Sequence, residues 1–253
     1  MVYDGVMSSR PPPLPVVHDL VRAIRSTHEE TVAALLAIFL GTPPPWSYGI
    51  SRTLSGNAYG HEAPLPALLH TVAVKARTRG RAPNSEVVAL IWDIGKGDRV
   101  QCHPPHQGRT VSFRHDLAVR GVSDFYYVEN RLPTVVFVQP RRGFNPNDWQ
   151  LGVLGALLRR TLLHGDFADA TIEILDFSTQ STGRRVPRQL SLRDLPVISN
   201  AELATAMQRV ADDAIIAMEI DWDALRQQRH DRAAAWKEAQ REKRKGNQDD
   251  FDV

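Results

Sequence analysis

The sequence predicts an α/β protein, an αβββαβ-type mixed central sheet flanked by helices, with helical extensions at both ends. Three observations carry this reading. Apolar residues recur at three- and four-residue steps over 16–40, 64–77 and 149–163, the spacing of an amphipathic helix. Runs rich in β-branched and aromatic residues occupy 124–129, 134–139 and 170–177, as strands do. The connections between them have lengths that suit first a hairpin and then a helical crossover.

Taken in order, residues 1–15 with Pro11, Pro12, Pro13 and Pro15 read as a flexible proline-rich leader. A helical N-terminal extension spans 16–60. Within it Val17, Leu20, Val21, Ile24, Val32, Leu35, Leu36 and Phe39 predict one helix over 16–40, stopped by Pro43, Pro44 and Pro45, and 47–60 reads as a glycine-rich loop. The core spans 61–198. It opens on a helix over 64–77, whose apolar face is Leu65, Leu68, Leu69, Val72 and Val74. The continuous apolar run 86–94 (EVVALIWDI) predicts a buried strand, and 100–102 and 110–113 predict short exposed strands around the loop HPPHQG. The runs 124–129 and 134–139 form a hairpin. Asp148 is a candidate N-cap for a helix over 149–163, and 170–177 returns as a strand. After an arginine-rich loop at 183–188, Ser199 or Asn200 caps the first of the C-terminal helices spanning 199–245, and 246–253 reads as a disordered acidic tail.

With 253 residues, 42% hydrophobic and 24% charged, the composition is that of a globular protein and excludes disorder of the whole chain. The 31 basic residues against 29 acidic ones leave a formal charge of +2, too little to coat a polyanion by charge alone, so any such contact needs a local patch. Five of the 31 are lysines and the rest arginines, which suit bidentate phosphate contacts, although codon bias accounts for the excess equally well. The eight basic and three acidic residues between Arg226 and Lys245 read as a solvated helix, with a nucleic-acid arm as the competing reading. Cys102, the single cysteine, excludes an internal disulfide and predicts a reducing, cytoplasmic setting. No apolar run approaches the roughly 18 residues of a membrane helix, so no membrane association is expected.

The residues that could carry chemistry lie at the hairpin. Gly121, Val122, Ser123 and Asp124 open its first strand, and Gln139, Pro140 and Arg141 end its second, which brings Asp124 and Gln139 to the same edge of the sheet. The following helix begins Trp149, Gln150, Leu151. This element order and these positions resemble the PD-(D/E)xK nuclease superfamily, in particular its RecB-like branch, over about 64–177. In that superfamily an aspartate begins the second core strand, and an acid and a lysine two apart end the third; the acids bind a divalent metal and the lysine positions or activates the attacking water. The resemblance implies Asp124 and Gln139 as metal ligands, magnesium as cofactor, and Arg141 and Gln150 as further catalytic residues. It also implies DNA as the substrate and a bacterial mobile element or defence locus as the setting. Arg141, Arg142, Arg184, Arg185 and Arg188 become candidate phosphate contacts.

This chain departs from the pattern. Gln139 stands where the family has an acid, Arg141 where it has lysine and Leu154 where the branch usually has tyrosine. These changes remove a negative charge and a proton-exchanging group from the site. Glu62, or Glu86 and Asp93, are candidates for a further acid. The alternative reading is a catalytically inactive nuclease-fold scaffold or binding subunit that uses the same arginines on nucleic acid or an acidic protein partner. In structural roles, Asp124 would bond its own turn, Gln139 would be a satisfied polar residue at the sheet edge and Gln150 would be a capping residue. Cys102, His103, His106 and His115 have zinc-capable donors at short spacing, but Pro104 and Pro105 make a surface loop the better reading. Gly95, Lys96 and Gly97 read as a turn, and neither a phosphate-binding loop nor a G-x-S-x-G motif occurs.

Overall fold

A computed structural model describes residues 17–39, 47–113, 118–142, 146–178, 180–181, 184–219, 227 and 231. Six helices precede the first strand: α1 (Val17–Ala23), α2 (His28–Phe39), α3 (Gly49–Thr53), α4 (Ser55–Tyr59), α5 (Leu65–Lys75) and α6 (Thr78–Ile94). Then come β1 (Gln101–His103), β2 (Gln107–Ser112), β3 (Ala118–Val122), β4 (Phe125–Glu129), β5 (Leu132–Gln139), α7 (Asp148–Leu162) and β6 (Thr171–Asp176). The chain continues through β7 (Gln180–Ser181), β8 (Arg184–Arg185), β9 (Arg188–Ser191) and α8 (Asn200–Glu219). The main sheet has the order β1-β4-β5-β6-β9; β5 and β6 are parallel and the other neighbours antiparallel.

The predicted mixed α/β class is the observed one, with helices on both faces of the sheet. Alternation along β5 divides the core. Val135 and Phe137, with Ile172 and Ile174 of β6, pack on Leu154, Leu157 and Leu158 of α7, Leu20 and Val21 of α1, and Met207 and Val210 of α8. Val136 and Val138, with Leu175, pack on Tyr59, Val72, Val87, Val88 and Ile91 from the helices of the other face. The hairpin between β4 and β5 closes through Asn130 and Arg131 at φ 52° and 66°, a two-residue turn whose twist matches its strands. The parallel step from β5 to β6 requires a crossover, and α7 supplies it. Separately, β2 and β3 form a two-stranded ribbon against α7, where a Cβ on Gly121 would lie 2.1 Å from Thr161 Oγ1.

Five local expectations are corrected. Residues 86–94 are the second half of α6, not a strand: Gly80, Asn84, Val87, Val88 and Ile91 share its buried face, and the polar 78–85 half hides the helical period in the sequence. The first strand of the sheet is β1. The helix expected over 16–40 is two helices, broken at 24–27, where Thr27 Oγ1 accepts the Glu30 N–H at 3.2 Å and helps start α2. The loop expected over 47–60 contains α3 and α4, and the arginine-rich loop carries β8 and begins β9. Asn147, not Asp148, caps α7, and Ser199 caps α8 through a reciprocal pair with Glu202. The leader 1–15, His115, the tail 246–253 and, apart from 227 and 231, the stretch 223–245 lie outside the described residues. Among the described residues no helix is long and apolar enough to cross a membrane.

Candidate functional site

The carboxyl ends of β5 and β6, beside the start of β4, gather most of the singled-out residues. Asp124 continues the β4 ladder by donating its N–H to Val136 O at 2.9 Å. Its carboxylate then replaces the next backbone acceptor: Oδ2 accepts the Val138 N–H at 2.7 Å, and Oδ1 accepts Nε–H of Arg52, from α3, at 2.5 Å. The side chain is only 3% exposed. Burial pushes this carboxyl above the ordinary range, against the pull of Arg52 and the Val138 amide.

Gln139 is buried at the end of β5, in register with Asp176 of β6. Its Oε1 accepts the Arg141 N–H at 3.1 Å, and its Nε2 has no hydrogen-bond partner among the described residues. Asp176 accepts the Ser178 N–H on Oδ1 at 2.8 Å and pairs with Arg188 through Oδ2. From α6, Glu86 accepts Nη2–H of Arg142 at 2.9 and 3.0 Å and Nε–H of Arg185 at 2.9 Å. Burial pushes the Glu86 carboxyl up, but the two guanidiniums outweigh it and hold it below the usual range.

Arg185 is the clasp of this end. Its side chain is fully buried and donates to Glu86, to the carbonyls of Pro140 and Phe177, and to Tyr48 Oη at 2.6 Å. It therefore ties together the ends of β5 and β6, α6 and the entry to α3. This corrects its sequence role, since a fully buried guanidinium engaged with these partners is out of reach of a phosphate. Arg142 and Arg188 are partly exposed while paired, and Arg184 is exposed on β8.

Magnesium does not fit the residues expected to hold it. Both Asp124 oxygens are occupied, one by a guanidinium that a divalent cation would have to displace and then sit beside. The Oε1 of Gln139 is taken, and among the described residues no group of three or more His, Cys, Asp or Glu side chains is gathered to hold a metal. Glu62 and Asp93 are exposed elsewhere, so Glu86 is the one candidate further acid that reaches this region. Gln150, expected in a catalytic role, is a connector: it completes the Asn147 cap and donates Nε2–H to Ile24 O at 2.6 Å, holding the end of α1 on α7. The zinc-capable residues also separate. Cys102 has its thiol pushed up to about 12 by burial, His103 stacks on Tyr126, and His106 stacks on Phe167 with Nε2 bonded to Leu162 O at 3.0 Å.

Sequence reasoning missed Arg52 and Tyr48, which lie in the stretch read as a loop, and placed Glu86 on a strand. It also passed over Glu173, farther from this end of the sheet on the face that α4 and α6 cover. This carboxylate accepts the Tyr59 hydroxyl at 3.1 Å and the Tyr127 hydroxyl at 3.0 Å, close to Lys96, which pairs with Glu129. Burial pushes its pKa up, with the two hydroxyls and Lys96 opposing and Glu129 reinforcing. Because the folded state then holds the proton more tightly, this group's contribution to stability falls as pH rises from the ordinary glutamate value through the raised one. Glu173→Gln is expected to flatten that part of the stability profile in urea titrations between acidic and neutral pH; an unchanged slope would contradict the assignment.

With this geometry established, the chain was compared with known proteins: no family model matches it, and no curated protein or solved structure does.

Proposed function

We propose that this chain is a non-cleaving binding protein of nuclease-like fold that contacts the phosphates of nucleic acid through the arginine-lined carboxyl end of its sheet. One observation carries the reading: every acid gathered at that end is neutralised by arginine, Asp124 by Arg52, Glu86 by Arg142 and Arg185, and Asp176 by Arg188. Four guanidiniums on three carboxylates leave a positive surplus, to which exposed Arg184 adds. Such a surface favours an anion over a cation. The order α6, β1, β4, β5, α7, β6, with β2 and β3 inserted, supports the nuclease-like part of the proposal. A lone Cys102 with a suppressed thiol suits a cytoplasmic setting.

The test is fluorescence anisotropy with single- and double-stranded DNA over a salt series. Charge removal by Arg141→Gln, Arg142→Gln and Arg184→Gln together is expected to weaken binding about tenfold or more and to reduce the salt slope by about one per lost contact. Affinity and slope equal to wild type would overturn the proposal.

A further inference from the structure

We propose a second, separate anion site: the cavity between α1, α7 and α8, which binds a phosphomonoester carrying an aromatic ring. The cavity measures about 360 Å³, within the range of small-ligand sites, and is lined by Arg25, Ser26, Trp149 and Arg209 together with the Asn147–Gln150 cap. None of these is among the arginines at the sheet end, so the proposal stands independently of the DNA reading.

Arg209 makes the case for a ligand. Its Nε and Nη2 are buried and have no hydrogen-bond partner among the described residues. Asp213 on the same helix forms a loose ion pair with it: Oδ2 lies 3.9 Å from Nε, beyond hydrogen-bond reach and itself without a hydrogen-bond partner among the described residues, while Oδ1 is engaged by His28 Nδ1. Buried N–H donors without acceptors are rare in folded proteins, and two on one guanidinium match the oxygens of a bound anion. Arg25 supplies a second positive charge from the 24–27 link, which is held in place because Gln150 bonds Ile24 O and Thr31 Oγ1 accepts the Arg25 N–H at 3.1 Å. Two guanidiniums suit a dianion better than a single carboxylate. Asp213 and Glu29 both act electrostatically on Arg209, so this cation is partly opposed and the ligand must bring more than one negative charge. Trp149, 38% exposed and lining the same cavity, offers a flat face for a ring beside the phosphate.

Isothermal titration calorimetry on the full chain, with inorganic phosphate and phenyl phosphate as probes, tests this. Phenyl phosphate is expected to bind at one site and more tightly than inorganic phosphate. Arg25→Gln and Arg209→Gln should each weaken both about tenfold. Trp149→Leu should weaken phenyl phosphate alone, which a loss of folding would not do. Competition by a short oligonucleotide, only when 5′-phosphorylated, would assign the cavity to strand ends, and failure to compete would assign it to free small molecules; both support the site. Absence of binding by either probe, or binding that Arg25→Gln leaves unchanged, would overturn it.

Discussion

Replacing Arg185 with alanine is expected to lower the stability of this protein by about 3–5 kcal/mol, the range typical of breaking a buried ion pair by removing one partner. The substitution leaves the buried carbonyls of Pro140 and Phe177 without this donor, takes one guanidinium from Glu86, and removes the Arg185 donor from Tyr48 Oη. Arg142 still neutralises Glu86, which keeps the loss from being larger. Arg185→Lys is expected to recover less than half, because one ammonium cannot reach four acceptors arranged around a planar fork. Urea denaturation of the three proteins measures this. A loss below about 1 kcal/mol for alanine would mean that the clasp contributes no more than a surface pair does.

Asp124→Ala should separate a structural aspartate from a metal ligand. It is expected to cost about 2–4 kcal/mol, because the Val138 N–H loses its acceptor and Arg52 its partner. Arg52 is 31% exposed and relaxes partly into water, which places the value toward the lower end. Asp124→Asn, which can still accept from Val138, should lie between alanine and wild type. Magnesium or manganese should not raise the melting temperature of the wild type, and DNA incubated with either ion should be cut no faster by wild type than by Asp124→Ala. A metal-dependent rise in melting temperature, or cleavage that the variant abolishes, would restore the nuclease reading.

Part of this architecture is legible from local sequence because its causes are local. The β4–β5 hairpin follows from two β-rich runs and a short turn, and α7 from a helical run opened by a polar cap, which the structure places at Asn147 rather than Asp148. Residues 86–94 were misread for a physical reason: a continuous apolar run is compatible with a buried strand or with a helix packed against a sheet. The polar residues 78–85 that complete α6 carry no apolar period of their own. Arg52 was invisible for another reason, since nothing in its neighbourhood marks it as the partner of a residue 72 positions away.

The sequence by itself determined the α/β class and the meeting of Asp124 and Gln139 at one end of the sheet, because strand period and hairpin length are short-range properties. Only the tertiary structure decided what those residues can do. Metal affinity and phosphate affinity depend on the charges within a few ångströms, and here those charges arrive from afar: Arg52 on α3, and Arg185, which crosses 99 positions to reach Glu86 on α6.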